Sequence, residues 1–216
     1  MKPIVISDPE FLQGEHEVVH ALFDAGLEIF HLRKPNAEQK QIEAFLKEIK
    51  PKYLKRIVLH QQYQLVNTYN IKGIHLKEPY FINLSEEELK EMVSGFKKKG
   101  LAVSASIHNP EDLNLYHQKL SYCFLSPVFE SISKEGHCSE FDLLDLPQTK
   151  QDVIALGGVD LDTVHELSAK GFAGYALLGA IWKPFRFDRD LKEVLDCYNQ
   201  INEIGNTLLW KKDLTC

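Results

Sequence analysis

Short apolar runs, rich in β-branched residues, alternate along the chain with stretches whose apolar residues recur at helical spacing. Eight runs are predicted to be strands: Pro3–Asp8, Glu28–Lys34, Arg56–Gln61, Gly73–Lys77, Ala102–His108, Tyr122–Phe129, Val153–Gly158 and Tyr175–Ile181. Their starts lie 17 to 31 residues apart, which is too far for hairpins and typical of strand–helix–strand crossovers. Such alternation favours a parallel sheet, and eight units favour a closed (β/α)8 barrel over an open doubly wound sheet.

The stretches between the predicted strands carry helix boundaries. Ser85 and Glu88 form a capping-box pattern ahead of an apolar stripe. Each apolar helical stripe is followed by a glycine, the usual residue just past a helix end. These glycines are Gly26, Gly100, Gly171 and, after the stripe Leu191–Ile204, Gly205. No linker rich in Pro, Ser or Gly divides the chain. We therefore predict an α/β protein with one TIM barrel domain over residues 1–205 and a C-terminal tail over residues 206–216.

Charge and apolar content narrow the class of partner. The 216 residues include 25 basic and 31 acidic side chains, a net charge of −6, which argues against nucleic acid or an anionic membrane as the partner. The longest apolar run, Tyr175–Trp182, is far below membrane-spanning length. The four cysteines form no C-x-x-C pair, and Cys123 is predicted to be a buried thiol. We expect a cytoplasmic protein that binds a small molecule and forms a homodimer through apolar tail residues, Leu208, Leu209 and Trp210.

Cations concentrate where the predicted strands end. The reactive face of a parallel α/β barrel lies at the carboxyl ends of its strands. The candidates there are Arg33, Lys34 and Lys77, with Lys134 in the loop after strand six. Convergent cations predict an anionic ligand, most simply a phosphate ester. The alternative is that each cation only extends to solvent from a strand end.

Two backbone segments add to this interpretation. Gly157 and Gly158 close strand seven, and Gly179 and Ala180 close strand eight, where backbone N–H groups can approach a phosphate closely. The alternative for the glycine pair is a tight turn that needs positive φ.

Polar side chains after strands five and six are further candidates. Ser131, Ser133 and Lys134 form a possible cradle for phosphate or pyrophosphate, unless the hydroxyls only turn the loop. His108 is a candidate general acid or base, although an isolated histidine is more often structural.

These residues together resemble the thiamine phosphate synthase family, which includes thiazole tautomerases. The family's motifs are Q-x-R-x-K, G-V-H-L, S-x-H, G-P-V-F-P-T-x-T-K, I-G-G-I and S-A-I. The similar segments of this chain follow in the same order: residues 31–35, 73–76, 106–108, 126–134, 156–159 and 179–181.

The resemblance implies a barrel that binds a thiazole phosphate. In the synthase, a magnesium-bound aminopyrimidine pyrophosphate loses pyrophosphate, and the thiazole nitrogen takes the resulting carbocation. By resemblance, Arg33 would hold the pyrophosphate with Lys34, and Ser106 would contact it as it departs. Residues implied to hold the thiazole phosphate and pyrophosphate are Ser131, Ser133 and Lys134, and those implied to donate backbone N–H groups are Gly157, Gly158, Gly179 and Ala180.

The chain departs from the family where magnesium binds. Synthases carry N-D after strand three and Q-E-D after strand four, whereas this chain has His60-Gln61 and Glu78-Pro79-Tyr80. Loss of the aspartates weakens a Mg²⁺ site, because Mg²⁺ prefers carboxylates and water, although Glu78 would compensate in part if the chain is a synthase.

Loss of the aspartates resembles the tautomerase branch, which moves a proton on a thiazole carboxylate phosphate without metal. That branch places its catalytic histidine where this chain has Pro127, so His108 or His137 would substitute. A tautomerase-like enzyme is the leading hypothesis. An active synthase and a non-catalytic phosphate-binding barrel are the alternatives.

Overall fold

The computed structural model describes residues 1–77, 83–114, 120–129, 146 and 152–212. Eight parallel strands pair in chain order, and the last strand pairs with the first to close the barrel. The strands are β1 Lys2–Ile6, β2 Phe30–Leu32, β3 Ile57–Leu59, β4 Gly73–Leu76, β5 Ala102–Ile107, β6 Tyr122–Leu125, β7 Val153–Ala155 and β8 Gly174–Leu177. The predicted (β/α)8 fold is confirmed, with strands that end earlier than the apolar runs suggested.

Helices surround this barrel. The α-helices of the described part of the chain are α1 Glu15–Asp24, α2 Gln39–Glu48, α3 Pro51–Leu54, α4 Glu86–Lys98, α5 Gly179–Asp188 and α6 Leu191–Lys212. In the described part of the chain, 3₁₀ helices follow β3, β5 and β7, at Tyr63–Asn67, Pro110–Asn114 and Val164–Lys170. The capping box is present, since the Ser85 hydroxyl accepts from the Glu88 N–H at 3.2 Å and the Glu88 carboxylate accepts from the Ser85 N–H at 2.8 Å. No helix of the described residues combines the length and apolarity needed to cross a membrane.

The last helix differs from the sequence prediction. It continues through Gly205 to Lys212, so residues 206–212 of the predicted tail extend α6, and residues 213–216 lie outside the described part. Gly205 has a packing role instead, because a Cβ there would lie 2.8 Å from the Tyr175 ring. Its carbonyl also accepts from the Met1 ammonium at 3.2 Å.

The outward-facing side chains of the strands pack with the helices into the main apolar core. Cys123 belongs to this layer and is fully buried, as predicted. The inward-facing side chains form two halves of different character. One half is an apolar cluster that includes Ile4, Ile6, Phe124, Ile154 and Ala176. The other half, contributed by β2 to β5, contains buried polar side chains: His31, His60, His75 and Ser104. Tyr122 of the apolar cluster borders this half. Barrel interiors are usually filled by branched apolar residues, so this polar half is the feature that leads to the site.

Candidate active site at the barrel mouth

Arg33, Lys77 and Ser106 reach the carboxyl-terminal mouth above the polar half. Each stands two positions after an inward-facing residue of its strand, so the strand pleat directs it to the same side. Arg33 is exposed, and Lys77 and Ser106 are half-buried. The positive charges of Arg33 and Lys77 both lower the pKa of His60. The structure thus brings together two of the predicted cations beside one buried imidazole.

Ser7 fixes the backbone at Arg33. Its hydroxyl accepts from the Arg33 N–H at 2.8 Å and donates to the Arg33 carbonyl at 2.9 Å. These two bonds link the end of β1 to the chain just after β2, so the guanidinium is carried by an anchored segment.

Lys34 does not join Arg33 at the mouth, in contrast to the sequence prediction. Its ammonium is 1% exposed and lies between the barrel and helices α1 and α2. It donates to both Glu15 oxygens, at 2.6 and 2.7 Å, and to the Glu10 carbonyl at 2.7 Å. The ammonium also lies 4.7 Å from the ring centroid of Phe11. The physical reason is that Arg33 and Lys34 directly follow β2 and continue its alternation, in which adjacent side chains face opposite sides.

Three imidazoles meet inside the barrel, just below the mouth. His31 Nδ1 lies 2.8 Å from His60 Nε2, and the His60 and His75 rings stack with centroids 4.1 Å apart. One ring nitrogen of each histidine lies within 4.8 Å of those of the other two. We call His31, His60 and His75 the histidine trio.

Hydroxyl groups hold the outer side of the trio. His31 Nε2 lies 2.7 Å from the Tyr122 hydroxyl. His75 Nδ1 and Nε2 lie 3.0 and 3.1 Å from the hydroxyls of Ser104 and Ser106. Ser106, a predicted phosphate contact, is therefore also a neighbour of the trio.

Burial keeps the histidine trio neutral. It lowers the pKa of His31 and His60 well below the usual value and that of His75 to about 3. The trio is therefore a set of neutral imidazoles near pH 7, able to accept hydrogen bonds or to ligate a metal.

His108 is an exposed side chain directly after β5. Its Nδ1 lies 2.8 Å from the Ser126 carbonyl oxygen. A carbonyl only accepts hydrogen bonds, so Nδ1 carries a proton, and in the neutral form of the ring Nε2 carries the lone pair. This arrangement orients one basic nitrogen, as a general acid or base requires.

The glycine pair after β7 forms a tight turn. Gly157 and Gly158 have φ of +98° and +65°, and a Cβ at Gly157 would lie 3.0 Å from Pro127 Cα. Glycine is thus required by the backbone here. Gly179 and Ala180 are the first residues of α5, so their N–H groups have no partner within the helix. In the described part of the chain, no hydrogen bond is donated by the N–H of either Gly157 or Gly158.

The described residues at the family's magnesium position supply no carboxylate. His60 is an imidazole within the trio. The Gln61 amide nitrogen donates to the Lys34 carbonyl, and among the described residues its Oε1 is buried without a hydrogen-bond partner. Neither supplies the carboxylate that Mg²⁺ prefers. The other predicted ligand, Glu78, lies outside the described residues, as do the loop candidates Ser131, Ser133, Lys134 and His137.

Sequence reasoning missed two arrangements. The first is the histidine trio, whose members enter the sequence analysis only as parts of separate motifs. Their common inward parity on successive strands is the signal that could have found it. The second is the ion pair of Asp8, after β1, with Arg186 of α5. No local motif predicts this ion pair, because its partners lie 178 residues apart in the sequence.

Comparisons with known proteins agree with this geometry. A sequence model described as thiamine monophosphate synthase matches residues 4–181. The thiamine-phosphate synthase of Proteus mirabilis is 27% identical over 177 residues, which cover 77% of this chain and 79% of that protein. The thiamine-phosphate synthase of Staphylococcus epidermidis is 23% identical over 194 residues, 83% of this chain and 86% of that protein.

A solved structure gives the same result. The thiamine phosphate pyrophosphorylase of Bacteroides thetaiotaomicron has a TM-score of 0.72 and 28% identity, and the match covers 95% of this chain and 98% of that one. The family match spans the barrel from β1 into α5 and confirms the resemblance read from the motifs. The chain belongs to the thiamine monophosphate synthase family.

Proposed function

We propose that this chain is a tautomerase-like member of the family, which binds a thiazole phosphate at the barrel mouth and moves a proton on it without Mg²⁺. The observation that carries the proposal is that other side chains replace the family's carboxylate ligands at the magnesium position. An imidazole and a side-chain amide, His60 and Gln61, stand there in place of carboxylates, while groups suited to an anion remain at the mouth.

The phosphate has a set of complementary groups. The α5 N-terminus presents the N–H groups of Gly179 and Ala180, a favourable place for an anion because of the free donors and the helix dipole. Gly158, which lies just after the neighbouring strand β7, offers a further N–H group. Arg33 and Lys77 add positive charge across the mouth. Ser131, Ser133 and Lys134 are part of this proposal through the family resemblance.

His108 is the proposed acid and base. Its Nε2 lone pair takes a proton from one atom of the thiazole ring system, and the resulting imidazolium returns a proton to another atom. The Ser126 carbonyl stabilises the imidazolium through the bond from Nδ1–H. The ligand keeps its atoms and charge, so no co-reactant is needed. His137 is the second candidate for this role.

The test follows proton exchange on a thiazole carboxylate phosphate by NMR, with a chelator present. We expect the wild-type chain to isomerise it and His108→Ala to lower the rate about 100-fold or more, the usual contribution of a general acid–base group. His165→Ala is the matched control, because His165 is an exposed histidine on the 3₁₀ helix Val164–Lys170. It should leave the rate unchanged.

Other outcomes would redirect the proposal. A full rate in His108→Ala together with loss in His137→Ala would transfer the role to His137. Isomerisation at the wild-type rate in the double variant would contradict a histidine acid–base. Tight binding of thiamine phosphate without turnover of either substrate would favour a non-catalytic barrel.

A further inference from the structure

We propose that the histidine trio is a nitrogen-donor site for one transition-metal ion of the Zn²⁺ or Co²⁺ type, inside the barrel and below the mouth. The site differs from the family's magnesium site in donor chemistry, and it does not depend on the proposed proton shift. It would be a three-imidazole site with a fourth position open toward the mouth.

The spacing of the nitrogens is close to that of a metal site. Zn–N bonds of about 2.0–2.1 Å in a tetrahedron place the ligand nitrogens about 3.3 Å apart. One nitrogen of each histidine already lies within 4.8 Å of the other two, and the closest pair, His31 Nδ1 and His60 Nε2, is 2.8 Å apart. Shifts of about 1.5 Å or less would therefore convert the trio into a ligand set.

The hydrogen bonds around the trio determine which nitrogens carry lone pairs. The Ile74 carbonyl accepts from the Ser104 hydroxyl, so the Ser104 oxygen accepts Nδ1–H from His75. The His75 lone pair is then on Nε2, which lies 3.1 Å from the Ser106 hydroxyl, and a bound metal would replace that hydrogen bond. Tyr122 holds Nε2 of His31, which leaves Nδ1 facing His60. Histidine ligands in metal sites commonly have their second nitrogen held in this way.

The His31–His60 contact contains a proton that a metal can replace. Two imidazole nitrogens 2.8 Å apart need one shared proton to be attractive. Metal binding at both nitrogens moves that proton to the other nitrogen of His60.

The mouth above the trio carries the charges of Arg33 and Lys77, which already act on His60. A metal ion adds positive charge to the same end. An anion at the open position offsets that charge, so the fourth ligand is expected to be an oxygen of an anionic molecule. Inorganic phosphate is therefore expected to strengthen metal binding.

The test titrates the tag-free full chain with Co²⁺, after dialysis against a chelator, and follows the visible absorption of tetrahedral cobalt. We expect one Co²⁺ per chain and one Zn²⁺ by elemental analysis after loading with Zn²⁺. His60→Asn should weaken binding more than about 100-fold, beyond the effect of losing an outer-shell partner. Tyr122→Phe keeps all three ligands and should weaken binding about 10- to 100-fold.

The matched control removes the other close histidine pair of the described chain. His16 and His20 lie on α1 with ring centroids 6.0 Å apart, a spacing that can collect metal at a surface. The double variant His16→Asn, His20→Asn should bind Co²⁺ like wild type. No stoichiometric binding by wild type would overturn the proposal, as would binding lost in this double variant. If His60→Asn fails to fold, by circular dichroism, Tyr122→Phe decides: unchanged affinity overturns the site.

Discussion

Neighbouring residues with the same charge have opposite roles at the end of β2. Arg33 points to the mouth, whereas Lys34 forms a buried ion pair with Glu15 behind the barrel. From composition and spacing, the same role at the mouth was predicted for both cations, because both lie at the end of the same apolar run. Only strand parity separates them, and parity can be assigned once one inward residue, such as His31, is known.

Removing Lys34 should destabilise the fold in a pH-dependent way. Burial raises the pKa of Glu15 to about 7, against the opposing effect of Lys34. A folded carboxyl with a raised pKa keeps its proton where the unfolded chain has lost it, so stability falls as pH rises from about 4.5 to about 7. Lys34→Met removes the charge that lowers this pKa and raises it further, so at pH 8 the folded chain must either hold a proton that the unfolded chain has lost or bury an unpaired carboxylate. We expect a loss of about 3–5 kcal/mol there and a smaller loss at pH 5.5, measured by urea unfolding.

The double variant Lys34→Met, Glu15→Leu is the control. Replacing a whole buried ion pair by apolar residues is often neutral or stabilising. We therefore expect it to recover most of the stability and to lose the difference between pH 5.5 and pH 8. Equal losses for the single variant at both pH values would contradict the assignment of Glu15.

At the level of elements, the sequence predicted the eight strands and the start of α4 but not the end of α6. The sequence analysis took Gly171 and Gly205 alike as residues that follow the end of a helix. Gly171 follows its helix with φ +84°, whereas Gly205 lies within α6 because Tyr175 packs against it. That distinction depends on a contact between distant residues, so a local pattern cannot contain it.

Replacement by alanine should change the free energy of unfolding in opposite directions at two glycines of the helices. Gly95 lies on an exposed face of α4 with nothing within 4 Å of an added Cβ, so Gly95→Ala should raise the unfolding free energy by about 1 kcal/mol. Gly205→Ala places a Cβ 2.8 Å from the Tyr175 ring and should lower it by about 1–3 kcal/mol. Thermal unfolding of the two variants measures both. Stabilisation by Gly205→Ala would show that α6 does not pack closely on β8.

At the level of the whole molecule, a net charge of −6 coexists with a cationic mouth. The total charge argues against polyanionic partners, and the position of Arg33 on an inward-facing register is the basis for the proposed anion site at the mouth. The fold and family were predictable because they depend on repeated patterns and ordered motifs. The histidine trio was not, because it requires the register between β2, β3 and β4.

Binding of a thiazole phosphate should depend on the mouth cations and not on cations elsewhere. Arg33→Ala should weaken binding about 10- to 100-fold, the effect of losing charged hydrogen bonds. Lys97→Ala is the control, since Lys97 is exposed in the last turn of α4, at the opposite end of the barrel. Calorimetric titration compares the two, and similar affinities for both variants would contradict the placement of the ligand.

The central claim is that this family member acts on a thiazole phosphate without magnesium. The most direct measurement follows two reactions with one preparation of the chain: proton exchange on the thiazole carboxylate phosphate with a chelator present, and coupling of the aminopyrimidine pyrophosphate to thiazole phosphate at millimolar Mg²⁺. We predict turnover in the first reaction and no pyrophosphate release in the second. Magnesium-dependent coupling, with no isomerisation, would contradict the account and identify the chain as a synthase.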